Sequence, residues 1–232
     1  MRKVILIKIS GESLKDNKST INFVRINSLI SQIKKIHSKF NIGIVVGGGN
    51  IIRGANINNK LIDRTTADNM GMLATIINSL ALKDAISKQN IPVEIYSLIP
   101  MPTIAKIYNI YSVNIDIKQN KVIIFSGGTG NPYFSTDTGI ALRALEIKAN
   151  TILMGKNGVN GIYSSDPNKN KNAKRYDSIS YDEIISKKIK IIDMEAIYLF
   201  KQSSAKIIVF DTNSPNCYVN ALNNKMTCTI IK

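Results

Sequence analysis

Residues 42–54 read Ile-Gly-Ile-Val-Val-Gly-Gly-Gly-Asn-Ile-Ile-Arg-Gly, a short apolar run that ends in three consecutive glycines. The run 42–46 is β-rich, continuous rather than alternating, and too short for a typical helix. It predicts a strand covered on both faces. Three glycines in a row cost backbone entropy. They suit a loop whose backbone comes very close to another group, with a flexible turn as the plainer alternative. Arg53 follows at a spacing from which its planar fork could reach an anion held there.

The same arrangement recurs along the chain. Residues 3–9, 93–98, 122–126, 151–154 and 207–210 are further strand candidates, most of them continuous Val/Ile runs. Helical spacing fills the gaps. Ile26, Leu29, Ile30, Ile33 and Ile36 precede the strand at 42. Residues 65–89 carry Met70, Leu73, Ala74, Ile77, Leu80 and Ala81, a pattern best explained by core packing. Residues 137–148 carry Ile140, Ala141, Ala144 and Leu145, and 193–202 form a shorter segment. This alternation predicts an α/β fold, a three-layer α/β/α sandwich with a mostly parallel central sheet. At 232 residues the chain is long enough for one sizeable core. A single domain with two lobes, about 1–135 and 136–232, is expected.

In such sheets ligands sit beyond the carboxyl ends of the strands. Four segments at those ends are small or glycine-rich: Ser10-Gly11-Glu12-Ser13, Gly47-Gly48-Gly49-Asn50, Ser126-Gly127-Gly128-Thr129-Gly130 and Gly155-Lys156-Asn157-Gly158. Lys8 lies inside an apolar strand, where its charge costs desolvation unless it meets an anion or snorkels out at the strand end. Ser135, Thr136 or Asp137 can cap the helix that follows the third loop, and that helix would then aim its N-terminus at a phosphate. Asp137 has two readings, a plain cap or a functional carboxylate. Tyr163 and Asp166 could hold a base and a ribose, although Asn160-Gly161 and Asp166-Pro167 are also common turn dipeptides.

Composition narrows the classes. The net charge is +15, yet only six of the 31 basic residues are Arg and lysines crowd even loop-like stretches such as 168–174. That reads as a chain-wide bias rather than a designed surface, the alternative being a real contribution to attracting anionic substrates. No run of interleaved basic and aromatic residues suggests nucleic-acid stacking, so nucleic acid is not required. Cys217 and Cys228 have neither metal-ligand spacing nor a disulfide framework. The one histidine, His37, lies among lysines and cannot alone build a histidine metal site or a His-based triad; it reads as a solvated helix residue. No apolar run approaches the ~18 residues of a membrane span, so the expected location is the cytoplasm. The P-loop, dinucleotide-fold and protein-kinase signatures are absent.

Four segments, in this order, carry a resemblance: Lys8-Ile-Ser-Gly-Glu-Ser-Leu14, Val45-Val-Gly-Gly-Gly-Asn-Ile-Ile-Arg-Gly54, Ala67-Asp-Asn-Met-Gly-Met-Leu-Ala-Thr75 and Gly128-Thr-Gly-Asn-Pro-Tyr-Phe-Ser-Thr-Asp137. With Gly158-Val-Asn-Gly-Ile-Tyr-Ser-Ser-Asp-Pro167, they make the chain resemble the amino-acid-kinase fold family and, within it, the bacterial-type UMP kinases. The likeness runs from about residue 3 to 211. It implies ATP-dependent phosphorylation of UMP to UDP, in pyrimidine nucleotide biosynthesis, by a cytoplasmic homohexamer. The alternatives are another small-molecule kinase of the same fold, or a non-catalytic anion-binding protein on it.

The resemblance also implies roles. Lys8, Arg53 and Asp137 would be catalytic, with Asp137 organising Lys8 and Lys156 as a second cation. ATP would lie against Lys8, Ser10, Gly11, Gly49, Arg53, Asn157, Tyr163 and Asp166. UMP would lie against Gly48, Asp68 and the run Thr129, Gly130, Asn131, Pro132, Tyr133, Phe134, Ser135 and Thr136. The N-terminal lobe would mainly bind UMP and the C-terminal lobe ATP. Mg2+ would be held mainly through ATP phosphates, without a dedicated protein cage. Bringing two anions together calls for positioned cations and backbone N–H groups more than for covalent help. The likeness has gaps: residues 15–23 lack the glycines usual in relatives, Asn160 stands for an aspartate, Cys228 for a glycine, and 112–120 lacks Arg and His.

Overall fold

The computed structural model describes residues 2–52, 61–167, 169–189 and 191–232. In chain order the first half contains β1 (Val4–Ile9), a 3-10 turn (Gly11–Leu14), α1 (Phe23–His37), β2 (Asn41–Val46), α2 (Arg64–Ser87), β3 (Val93–Ser97), β4 (Lys106–Ile107), α3 (Ile110–Lys118) and β5 (Val122–Ser126). The second half contains α4 (Thr136–Glu146), β6 (Thr151–Lys156), β7 (Ile162–Tyr163), β8 (Arg175–Tyr176), β9 (Ser178–Ile179), α5 (Tyr181–Ser186), α6 (Met194–Lys201), β10 (Lys206–Asp211), α7 (Cys217–Leu222) and β11 (Cys228–Ile231).

The main sheet runs β4-β3-β5-β2-β1-β6-β10-β11-β9. Its pairings are parallel except β10 with β11. β7 and β8 form a separate antiparallel ribbon. The chain steps from β1 outward through β2, then returns to the other side of β1 with β6. The carboxyl ends of β5, β2, β1 and β6 therefore lie side by side where the winding reverses, the place where this architecture binds ligands.

Strand period 2 divides the core between the two faces. Ile5, Ile7 and Ile9 of β1 join Ile42, Ile44 and Val46 of β2 in a cluster with residues of α1, α2 and α7. Leu6, Val45, Ile123, Phe125, Ile152 and Met154 face the opposite way, into a cluster with α3, α4, α5 and α6. Helices on both faces give the three layers, which is why the strands read as continuous apolar runs. The alternation also aims Lys8, an even-numbered residue like Leu6, toward the α4 face.

Local chemistry sets the helix ends. The Asn22 side chain accepts from the Arg25 N–H at the start of α1, and Ser180 with Glu183 forms a capping box on α5. Asn90 and Asn120, beyond α2 and α3, exit in the left-handed conformation that asparagine tolerates.

Several expectations shift. Residues 137–148 and 193–202 become Thr136–Glu146 and Met194–Lys201, because Ser135 takes the cap of α4 and Lys148 leaves it with φ +51°. Short elements β4, β7, β8, β9, α3, α5, α7 and the four-residue strand β11 were not legible. The α2 stripe Met70, Leu73, Ile77 and Leu80, read as core, points outward; the inward face carries Thr75, Asn78 and Ser79 among small and apolar residues. His37 is half-buried rather than solvated, since its Nε2 meets the Asn120 carbonyl at 2.7 Å. Both cysteines are free. No helix among the described residues is long and apolar enough to cross a membrane.

Candidate active site

The site begins with two strand lysines. Lys8 of β1 lies in register with Met154 of β6, and Lys156 follows two residues later on the same face. Both point toward the start of α4, which packs on β1, β2 and α6. There Ser135 is the N-cap, its hydroxyl accepting from the Asp137 and Thr138 N–H groups. Asp137 is thereby released from capping, and its carboxylate forms a largely buried ion pair with Lys8. Asp137 is therefore not the cap of α4.

Lys156 donates to the Ile191 carbonyl at 2.7 Å. Burial pushes the Asp137 carboxyl up, but the charges of Lys8 and Lys156 more than offset that, so it stays below the usual carboxylate range. Burial, and then the charge of Lys8, lower the Lys156 ammonium; Asp137 and Asp193 oppose that shift. Two lysines, Asp137 and Asp193 thus form one electrostatic unit at the carboxyl edge of β1 and β6. An anion entering it would find cations already held in place.

The loops over this unit are packed backbone to backbone. A Cβ on Gly11 would lie 2.5 Å from Asn50 Oδ1 and 2.7 Å from the Gly49 nitrogen. A Cβ on Gly48 would lie 2.7 Å from the Gly71 carbonyl oxygen of α2. The triple glycine is therefore a close approach, to the loop after β1 on one side and to α2 on the other. Asn78, fully buried in α2, fixes it: its Nδ2 donates to the Gly47 carbonyl at 2.8 Å and to Asn50 Oδ1 at 2.7 Å, and its Oδ1 accepts from Asn50 Nδ2 at 3.0 Å.

Beside the lysines opens a cavity of about 740 Å³. Gly48, Asp68, Asn131, Tyr133, Phe134, Ser135 and Thr136, all expected on the acceptor side, line it. Gly49, expected on the ATP side, lines it too. Thr129, Gly130 and Pro132 belong to the same loop but not to that wall. Thr129 is buried, bonding Asn131 through both its donor and acceptor functions, and Gly130 packs on Leu98. Asp68 Oδ2 accepts from Arg64 Nε and from the Tyr133 N–H, each at 2.8 Å. Arg64 also stands 5.6 Å over the Tyr133 ring. Asp193 and Glu195, at the start of α6, bring the C-terminal half to the wall.

The remaining candidates are scattered. Asn157 lines a smaller cavity of about 220 Å³ with Ser13, Arg25 and Asn213. Tyr163 donates to Asn160 Oδ1 at 2.6 Å, and Asp166 is exposed in the following turn. Neither lines those two cavities, nor a mainly apolar hollow of about 690 Å³ that shares Asp193 with the larger one. Ser10 and Gly11 sit at the end of β1. Arg53 lies outside the described residues. The sequence reading passed over Arg64, Thr75, Asn78, Asp193 and Glu195. The available signals were polar residues at core-facing positions of α2 and acidic residues at the start of α6.

The profile of the amino acid kinase family matches residues 3–211. A uridylate kinase of Mycoplasmopsis pulmonis is 42% identical over 233 residues, 99% of this chain and 96% of its own length. One from Parabacteroides distasonis is 45% identical over 214 residues, 91% of this chain and 90% of its own. The crystal structure of UMP kinase from Ureaplasma parvum superposes with a TM-score of 0.96 at 41% identity, covering 100% of this chain and 99% of the other. That of UMP kinase from Bacillus anthracis gives 0.93 at 33% identity, covering 100% and 96%.

Proposed function

Because the chain belongs to the amino acid kinase family, we propose that it transfers the γ-phosphoryl group of ATP to UMP. A phosphate oxygen of UMP forms the new P–O bond, the β–γ bridge breaks, and ADP and UDP leave. The observation that carries this reading is the Lys8–Asp137–Lys156 unit beside a cavity lined by Asp68 and the glycine-rich loop. Such a unit is built to neutralise charge between two phosphorylated molecules.

In this reading UMP takes the 740 Å³ cavity, with Asp68 turned to its ribose and residues 129–136 around it. The ATP phosphates lie over Lys8, Ser10, Gly11 and Gly49; the family resemblance adds Arg53 to this set. The adenosine lies toward Asn157, Tyr163 and Asp166. The apolar hollow next to Asp193 offers it a further surface. The N-terminal lobe mainly serves UMP and the C-terminal lobe ATP, with Asp193 and Glu195 crossing that division.

Among the described residues no cluster of three His, Cys, Asp or Glu side chains is placed to hold a metal. Asp137 is engaged by Lys8, and Asp68 on the cavity wall by Arg64 and Tyr133; Asp193 and Glu195 are the other carboxylates on that wall. That donor set suits a magnesium ion held mainly through ATP oxygens, with these two available to its water ligands. When bound, the ion supplies positive charge to the phosphate oxygens. The family resemblance supports a homohexamer, and the outward apolar stripe of α2 offers a surface for self-association. The same resemblance supports a cytoplasmic role in pyrimidine nucleotide synthesis.

The test is a coupled assay of ADP formation with ATP and a panel of acceptors. UMP should be turned over best. Equal or better use of glutamate, carbamate or CMP would reject the acceptor assignment.

A further inference from the structure

The acceptor loop 127–135 is held to α2 by two hydrogen bonds among the described residues, one near each end. At its start the Gly127 N–H donates to Thr75 Oγ1 at 2.8 Å, and that hydroxyl in turn donates to the Met72 carbonyl at 2.7 Å. Near its end the Tyr133 N–H donates to Asp68 Oδ2. Positions 68 and 75 are two helical turns apart, about 10.5 Å along the axis. One rigid helix therefore sets the span of the loop.

The two ties differ in kind. Asp68 is on the cavity wall, and in the proposed reaction it serves the UMP ribose as well as Tyr133, so its tie has a second duty. Thr75 also lines the cavity but is almost fully buried, and its hydroxyl is already used in both directions. Among the described residues Gly127 makes its N–H hydrogen bond to Thr75. It sits at φ +78° with β3's exit behind it, where a Cβ would fall 3.1 Å from the Ile99 nitrogen. The Thr75 backbone also abuts Gly48, whose Cβ would lie 3.1 Å from the Thr75 nitrogen. α2, the triple-glycine loop and the acceptor loop meet at this residue.

From this we infer that Thr75 is a positioning residue for UMP. Its hydroxyl fixes the origin of the acceptor loop, so that Gly128, Asn131 and residues 133–136, which line the cavity, face the phosphorylated acceptor. It acts through Gly127, without touching the phosphate being transferred. The inference rests on the UMP reading above, and it accounts for the threonine that closes the segment 67–75.

The experiment compares Thr75→Val, which keeps the shape and removes the acceptor, with Thr75→Ser, which restores it, and with Thr75→Ala. Steady-state kinetics vary UMP and ATP separately, and thermal melting monitors folding. Leaving the buried Gly127 N–H without a partner should raise the KM for UMP about 10-fold or more in the valine variant. The KM for ATP should stay within about 2-fold, and serine should return the UMP value toward wild type. If the valine protein does not fold, the serine and alanine variants differ by the hydroxyl alone and the same split is read between them. A merely structural role would lower the melting temperature and leave the two KM values moving together; that outcome overturns the inference. So does a valine enzyme with unchanged UMP kinetics, or a serine enzyme no better than alanine. Wild-type enzyme that makes no UDP would instead refute the substrate assignment.

Discussion

Lys8 and Asp137 stand 129 residues apart and meet as an ion pair with each side chain only 13% exposed. Two independent local choices produce the meeting. Strand alternation turns Lys8 to the α4 face, and Ser135 takes the capping role that Asp137 would otherwise fill. A buried pair of this kind is weak evidence for stability, because desolvation opposes its attraction. Its value lies in holding a lysine at a fixed place and orientation before an anion arrives.

That preorganised charge is expected to act mainly on the rate. Lys8→Ala should lower kcat by at least ~100-fold, as removal of a fixed charge stabiliser does elsewhere. Steady-state assays at saturating ATP and UMP measure it, with circular dichroism to verify folding. Normal turnover by folded Lys8→Ala protein would contradict the role.

The second lysine gives a pH prediction with a defined sign. Burial and the Lys8 charge lower the Lys156 ammonium, while Asp137 and Asp193 hold it up. A lowered lysine loses its charge earlier as pH rises, so activity that needs the charge falls on the alkaline side. Asp193→Asn removes one of the supports. The alkaline limb of kcat should therefore move to lower pH than in wild type. An unmoved limb, or one displaced upward, would show that Lys156 does not carry that limb.

Away from the site, Asp116 anchors α3 to the sheet. Tyr96 donates to its carboxylate at 2.7 Å, Lys121 at 2.7 Å and Lys106 at 2.9 Å. Burial raises this carboxyl, but the bonds from Lys121, Lys106 and Tyr96 outweigh burial and bring it to about 2, from 3.8 when unperturbed. The folded value is the lower one. Its stabilisation is thus complete above about pH 4 and disappears as pH falls through about 2. Thermal melting of wild type and Asp116→Asn should differ clearly at neutral pH and converge toward pH 2. A constant difference across that range would show that the carboxylate's ionisation is irrelevant to stability.

Central strands were legible because burial on both faces writes them as unbroken Val/Ile runs. The short strand β11, held between β10 and β9, and the two-residue strands carry no such run, and α3 is a short helix that begins at an asparagine cap. Within the site, the loops were legible through their glycines, since close backbone approach leaves no other residue. Thr75 and Asn78 were not. Their types are common in solvent, and only the packing of α2 against two loops shows that they face inward. Conversely, the apolar stripe of α2 identified a helix but not its buried side.

That stripe makes an assembly prediction. Met70, Leu73, Ile77 and Leu80 are spaced 3, 4 and 3 apart, which places them on one line of the helix, each more than a third exposed. Replacing Leu73 and Ile77 together by glutamate should leave the chain folded, because neither enters the core, and should reduce the particle mass seen by sedimentation. A double variant that sediments like wild type would remove α2 from the assembly.

Gly48 and Gly71 touch each other and should respond in opposite directions to the same substitution. A methyl on Gly48 would come within 2.7 Å of both Ala74 Cβ and the Gly71 carbonyl, and a helix backbone yields poorly. Such overpacking typically costs ~1–3 kcal/mol. For a chain of this length that lowers the melting temperature by roughly 2–4 °C per kcal/mol. At Gly71 a methyl meets nothing within 4 Å, and the residue sits well inside α2. There Ala removes the entropic penalty of a helical glycine, about 0.5–1 kcal/mol, so the melting temperature should rise. Melting curves of the two alanine variants decide it. Two shifts of the same sign would mean that the contact between the triple-glycine loop and α2 is not as close as described.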